Sequence, residues 1–213
     1  MVKLLELFKG TGSAGKVAEK LKMKVLSLDN EEKYDPDIVI DILKWDYKKN
    51  VDTPDLIWAS PPCSSFSNMA LTKEKTHKNP ARVRNVDTMR ALAPSAVLGD
   101  KLLNKTIEII RYFSKKNPKL KWVIENPHGS MWRSPLMDKL PKYHREMTYY
   151  CLYGDKRKKP TDFFSNIKLN LKEGSCKARV DFTKLKLCDR YKLPPPLVKD
   201  ILIQIRKTNA LRA

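Results

Sequence analysis

The chain has 213 residues, 43 of them Lys or Arg against 24 Asp or Glu, a formal net charge of +19 at pH 7. That length suits one domain with a proper hydrophobic core, and no apolar run reaches the roughly 18 residues a membrane helix needs. The excess basic residues are spread along the chain, which points to a polyanionic partner, nucleic acid first. The opening apolar run is too short for a signal-peptide core, so an intracellular location, cytoplasmic or nuclear, is expected. The four cysteines (63, 151, 176 and 188) form no CxxC pair. Reduced thiols are therefore expected, with neither a disulfide framework nor a zinc site.

Short β-type runs alternate with helical stretches over the first two thirds of the chain. Lys3–Phe8 reads as a strand, Ser13–Lys22 as a helix, and Lys24–Leu28 as a strand ending at Asp29. Asp37–Asp41, Asp55–Ala59 and Lys121–Ile124 are further apolar runs of strand length. Between the last two, Leu98–Phe113 carries Leu102, Leu103, Ile107, Ile110 and Phe113 at helical spacing. Buried strands with helices between them predict an α/β fold, a mostly parallel sheet covered by helices on both faces. Ser64–Leu92 is polar and basic (Lys73, Lys75, His77, Lys78, Arg82, Arg84, Arg90) and reads as a mobile loop. Asn126–Asn170 is irregular, with antiparallel strands expected around Met147–Tyr153 and Asp162–Ile167. After Pro194-Pro195-Pro196, Leu197–Arg206 shows one apolar face and is expected to dock on the core as a helix.

Three motifs carry chemistry. Gly10-Thr11-Gly12-Ser13-Ala14-Gly15 follows a strand and opens a helix, where glycines permit a tight turn and close approach of a ligand to the backbone. Asp29, at the end of the next strand, can hydrogen-bond ribose hydroxyls. Gly10-x-x-x-x-Gly15-Lys16 is also most of a phosphate-binding loop, but Val17 stands where that loop needs Ser or Thr for magnesium. An adenosine-type ligand is the better fit. Asp41-Ile42, after the third strand, could meet an adenine edge or simply cap the strand. Ser60-Pro61-Pro62-Cys63 lies at a strand's carboxyl end, where ligands bind in such sheets. Two prolines stiffen the loop and present Cys63 as a poised thiol. Trp122-Val123-Ile124-Glu125-Asn126-Pro127 delivers a carboxylate at another strand end, able to protonate a ring nitrogen if burial raises its pKa.

Taken in chain order, these motifs resemble the DNA cytosine-5 methyltransferase family, over nearly the whole chain. Leu7-Phe8-x-Gly10-x-Gly12 resembles the methyl-donor loop, and Ser60-Pro61-Pro62-Cys63-x-x-Phe66-Ser67 the catalytic loop. Val123-Ile124-Glu125-Asn126 resembles the Glu-Asn motif. Tyr153-Gly154-Asp155-Lys156-Arg157-Lys158-Lys159 is similar to a shortened base-holding motif, and Leu193-Pro194-Pro195-Pro196-Leu197 to the closing motif. The resemblance implies a Rossmann-like fold dependent on S-adenosylmethionine. The donor would lie on Phe8, Gly10, Thr11, Gly12, Asp29, Asn30, Asp41, Ile42 and Pro61. Cys63, Glu125 and Arg157 would be catalytic. Pro62, Ser64, Ser67, Arg82, Arg84, Asn126 and Lys159 would contact substrate.

The implied reaction is covalent methylation of cytosine C5 in DNA: Cys63 adds to C6, Glu125 stabilises protonated N3, and C5 takes the methyl group. The target base must be flipped out or single-stranded. The chain departs from the family pattern at Ser64 (usually Gln), at Pro127 (usually Val) and at Lys159 (usually Arg). Only about thirty residues separate Lys159 from Leu193, where the family places a target-recognition region. One catalytic domain over residues 1–213 is expected, with little sequence choice of its own or with specificity supplied by a partner protein. RNA as the substrate, or a catalytically inactive nucleic-acid-binding homologue, are the competing readings. A viral or phage origin, with action in a host cell, is compatible with all of them.

Overall fold

The computed structural model describes residues 1–49, 51–73, 81–177, 180 and 184–210. In chain order the first elements are strand β1 (Lys3–Leu7), helix α1 (Ser13–Lys20) and strands β2 (Lys24–Asp29), β3 (Ile38–Val39) and β4 (Leu56–Ala59). The middle holds β5 (Leu71–Thr72), β6 (Arg84–Asn85), α2 (Pro94–Lys116) and β7 (Lys121–Pro127). The last third holds β8 (His144–Tyr149), β9 (Pro160–Ser165), α3 (Leu187–Tyr191) and α4 (Pro195–Ala210).

Seven strands form one sheet in the order β3-β2-β1-β4-β7-β9-β8. From β3 through β7 every neighbouring pair is parallel, whereas β9 runs antiparallel to both β7 and β8. The period of two along each central strand divides its side chains between two cores. Leu5, Leu7, Ile57, Ala59, Trp122 and Ile124 face α2 and its Leu103, Ile107, Ile110 and Phe113. Leu4, Leu56, Trp58 and Val123 face Val17 and Ala18 of α1 and Leu197, Ile201 and Ile205 of α4. The expected parallel sheet, covered on both faces, is present.

The helix termini follow local chemistry. Pro94 opens α2, where its missing N–H costs nothing. Asn117 leaves the helical region (φ −130°, ψ 95°) as the residue before Pro118, which disfavours the α conformation. Several boundaries differ from the sequence expectation, those of β3 and β7 among them. β3 keeps only Ile38–Val39 of the run 37–41, because it is the sheet edge and Val39 is exposed. β7 continues to Pro127, so Glu125 and Asn126 belong to the strand and not to a following loop. α3 was not anticipated at all.

The segment 64–92 also differs from a free loop in its described part. β5 and β6 pair in parallel, and Ala70 and Val83 pack with Ala96 of α2. Lys75, His77 and Lys78, named in the basic run, lie outside the described residues. The cysteines differ as well: Cys151 and Cys176 form a disulfide, while Cys63 and Cys188 are free. Reduced thiols were expected throughout; the two chain segments instead bring their Cα atoms to 6.1 Å, a normal disulfide span.

Candidate active site

The carboxyl ends of β1, β2, β4 and β7 open onto a cleft of about 370 Å³. One half of it is made by the glycine turn. Phe8 has φ 60°, and Gly10 and Gly12 sit at φ 48° and 66°, a left-handed run that folds the chain sharply between β1 and α1. The turn is tied down by hydrogen bonds from Gly12 N to Lys9 O (2.8 Å) and from Lys9 N to Leu28 O (3.0 Å). The Asp29 carboxylate accepts from Gly10 N at 2.8 Å and from Glu31 N at 3.0 Å, which fixes the end of β2 against the turn. Phe8, Gly10, Thr11, Asp29 and Asn30 all line the cleft, as does Pro61.

Glu6 is a functional candidate that the sequence reading missed. It is buried in β1, and its Oε1 accepts from Gly15 N at the start of α1 (3.1 Å). Its Oε2 is buried without a hydrogen-bond partner, and the residue lines the cleft. Burial pushes its carboxyl up to about 7, against hydrogen bonds from Gly15 and Ala14 that favour the anion. An acid in an otherwise apolar strand was the available signal. Its place has a consequence for ligand class. The amides at the N-terminus of α1 already face a carboxylate, so a phosphate there would meet a like charge. Lys16 Nζ turns back to Thr11 O at 2.8 Å. The phosphate-loop alternative therefore loses both its anion hole and its lysine.

The other half of the cleft gathers side chains from three separate segments: Cys63 from the loop after β4, Glu125 from the end of β7, and Lys159 from the approach to β9. The cysteine loop is held at both ends. Asn126 Nδ2 donates to Pro61 O at 2.9 Å, and Ser130 donates to Phe66 O through both N (2.8 Å) and Oγ (2.9 Å). Inside it, Phe66 N and Ser67 N both donate to Cys63 O at 3.0 Å. The thiol is thus presented on a stapled turn.

Electrostatically the three groups oppose and support one another. Burial pushes the Cys63 thiol up, the Lys159 ammonium pulls it down, and the Glu125 carboxylate pushes it up. Burial raises Glu125, with Lys159 and the hydroxyls of Ser60 and Tyr150 favouring its anion. Burial lowers Lys159, with Glu125 and Cys63 holding its charge on. Glu125 so protected from water can keep a proton that an exposed glutamate would lose.

Several expected site residues are placed elsewhere. Arg157 does not line the cleft. Its guanidinium is engaged by both oxygens of Asp155, by the carbonyl of Asp189, and lies 5.1 Å over the Tyr150 ring. Lys159, not Arg157, is the cation that reaches Cys63 and Glu125. Arg84 is buried at 1% exposure, pairs with Asp100 (2.8 Å), donates to Ser65 O and Met89 O, and stacks on Phe66 at 4.5 Å. A guanidinium so satisfied ties Ser65 and Met89 to α2 and is not offered to a substrate. Arg82 donates to the carbonyl of Leu71. Asp41 accepts from Leu43 N at 2.9 Å as a turn cap, and Ile42 is in the core, so neither lines the cleft. Gly12, Ser67 and Asn126 are also behind the lining, shaping the two loops, whereas Pro62 and Ser64 do line it. Tyr34 and Tyr191 join the lining unannounced by the sequence motifs, and Leu193, the first residue of the closing motif, lines it as well.

A protein of Frog virus 3 (isolate Goorha), the "Probable DNA (cytosine-5)-methyltransferase", is 28% identical to this chain over 165 residues, 72% of this chain and 65% of the viral protein. The sequence similarity thus points to the same family that the motifs resemble, the DNA cytosine-5 methyltransferases. Two crystal structures share its fold. The S. pombe Dnmt2 methyltransferase matches at a TM-score of 0.52 and 13% identity, over 80% of this chain and 53% of that one. An E. coli prophage protein assigned as a DNA modification methyltransferase matches at 0.51 and 14% identity, over 81% and 49%. No family model matches the chain. The chain spans just under two thirds of the viral relative and about half of the two solved proteins. Among its described residues no helix is long and apolar enough to cross a membrane, and no cluster of His, Cys, Asp or Glu could hold a metal ion.

Proposed function

We propose that the chain methylates carbon 5 of cytosine in DNA through a covalent bond between Cys63 and C6, with S-adenosylmethionine as donor. The observation that carries this reading is the convergence of Cys63, Glu125 and Lys159 with the glycine turn in one cleft. The donor half suits a cationic adenosine derivative. Asp29 is at hand for a ribose, and the unpartnered oxygen of Glu6 adds negative character to the wall. Phe8, Gly10, Thr11, Asp29, Asn30 and Pro61 would hold the donor, which supplies an electrophilic methyl group when bound.

The protein's own groups account for the remaining steps. Cys63 loses its proton to water and bonds as a thiolate to C6; Glu125, whose burial favours its protonated form, hydrogen-bonds N3 so that charge does not build up on the ring. C5 becomes nucleophilic and is methylated. A water then removes the C5 proton, and the electron pair returns to the ring as the Cys63–C6 bond breaks. Lys159 stabilises the thiolate before attack. The whole chain acts as one catalytic domain. The described residues between β9 and α3 hold no strand or α-helix, which supports low sequence choice or a partner that supplies it.

Labelled S-adenosylmethionine and DNA should give acid-stable label on cytosine. A 5-fluorocytosine strand should trap an adduct that Cys63→Ala abolishes; an adduct surviving that change, or none from the wild type, would overturn the mechanism. Label on RNA and none on DNA would keep the chemistry and change the substrate. Binding should weaken steeply with salt if phosphates dominate.

A further inference from the structure

The short segment 186–193 is pinned to both halves of the cleft. The carbonyl of Asp189 accepts from Arg157, and the carbonyl of Arg190 accepts from Lys159 Nζ at 3.2 Å. At the other end Leu193 N donates to Ser13 Oγ at 3.1 Å, beside the glycine turn. Within the segment Asp189 N and Arg190 N both donate to Lys186 O, and Lys192 pairs with Asp189 at 2.8 Å. Pro194 and Pro195 follow and stiffen the exit into α4. A strap of this kind fixes the backbone from which its side chains project.

The side chain it presents is Tyr191. The ring is 50% exposed, yet it is part of the cleft wall that also contains Cys63. It takes part in none of the ring–ring or cation–π contacts found among the described residues. A half-exposed aromatic ring in the same cleft wall as the thiol, with no ring partner among the described residues, suits a flat π-system as its partner. Burial raises its hydroxyl, and Cys63 and Tyr34 act in the same direction. The donor half has Phe8 and Tyr34 as rings of its own, whereas Tyr191 hangs from the residues that hold Lys159 and Arg157.

We propose that Tyr191 is the stacking platform for the target pyrimidine, carried on a strap that does part of the work of a target-recognition region. The inference rests on the function proposed above. A flipped or single-stranded base loses its neighbours in the stack, and an aromatic side chain restores that contact without reading sequence. Such a platform suits a chain with little apparatus for choosing among cytosines.

The test compares wild type, Y191A, Y191F and Y191W on a single-stranded oligonucleotide containing one 5-fluorocytosine. Y191A should raise the half-saturating oligonucleotide concentration for adduct formation by about tenfold or more. Its affinity for S-adenosylmethionine, read by calorimetry, should be unchanged, and Phe and Trp should restore oligonucleotide affinity. Equal affinity in Y191A, or a parallel loss of S-adenosylmethionine binding, would overturn the assignment. A second measurement does not depend on the reaction. Replacing the target base by an abasic site should weaken oligonucleotide binding by wild type but not by Y191A; equal losses in both would sink the proposal. Absence of any wild-type adduct would instead remove the methyltransferase reading, while the abasic comparison still decides whether Tyr191 holds the base.

Discussion

The two halves of the cleft are built by different means. The donor half is made of backbone: a left-handed glycine turn, amides of Gly10 and Gly15 tied to Asp29 and Glu6, and two parallel strands in continuous register from Lys3↔Lys24 to Leu7↔Leu28. The acceptor half is made of side chains from distant segments, and Lys159 joins Cys63 and Glu125 only because one strand is reversed. β9 runs against β7, so Thr161 pairs with Pro127 and the chain just before β9 lies at the carboxyl end of β7. A parallel β9 would have placed Lys159 at the amino ends of the strands, away from the cleft. Position in the donor half is thus set locally, within about twenty residues, and in the acceptor half by topology.

Changes in the acceptor half should therefore alter chemistry and spare donor binding. Glu125→Gln is the sharpest such change, because it keeps the shape and removes the transferable proton. It should slow adduct formation on a 5-fluorocytosine strand by about a hundred- to ten-thousandfold while calorimetric S-adenosylmethionine affinity stays constant. A comparable loss of donor affinity would show that the two halves are not separable.

Glu6 tests the donor half through stability. Its carboxyl is raised from 4.5 to about 7 in the folded protein, so between those values the folded state holds a proton that the unfolded state has lost. Stability must then fall as pH rises through that window, by up to about 3 kcal/mol, and level off above it. Glu6→Gln should flatten this slope in urea titrations taken from pH 4.5 to 7.5. An unchanged slope would mean that the buried carboxylate finds compensation at high pH. Bound S-adenosylmethionine should also reduce the slope if Glu6 faces its positive charge.

Legibility in the sequence followed the same division. The alternation of apolar runs and amphipathic helices made the parallel sheet and its helical cover readable, because each strand's burial is written in its own residues. The glycine turn, Asp29 and the Pro-Pro-Cys loop were readable for the same reason: each is a local signal. Arg157 and Lys159 were not told apart, since which of two basic residues two positions apart enters the cleft depends on Asp155 and on the carbonyls of α3. Asp41 read equally well as a ligand contact or as a cap, and the hydrogen bond to Leu43 N makes it a cap. Charge was the least legible feature. A basic run says nothing about which members are already paired inside the protein, and Arg84 is the clear instance.

Arg84 also gives the smallest of the expected effects and the one that best separates the two uses of basic residues. Its guanidinium spends its donors on Ser65 O, Met89 O and Asp100, at 1% exposure, and has no face left for a phosphate. Arg84→Met keeps the bulk of the side chain against Phe66 and removes the bonds. Asp100 retains access to water at 31% side-chain exposure, so it is not stranded as a fully buried charge. The cost should be about 2 kcal/mol in denaturant unfolding, below that of breaking a fully buried pair. The slope of log affinity for DNA against log salt concentration should stay the same, because no phosphate contact is lost. A slope reduced by about one, with stability intact, would place Arg84 on the nucleic acid and return the 64–92 segment to a binding loop.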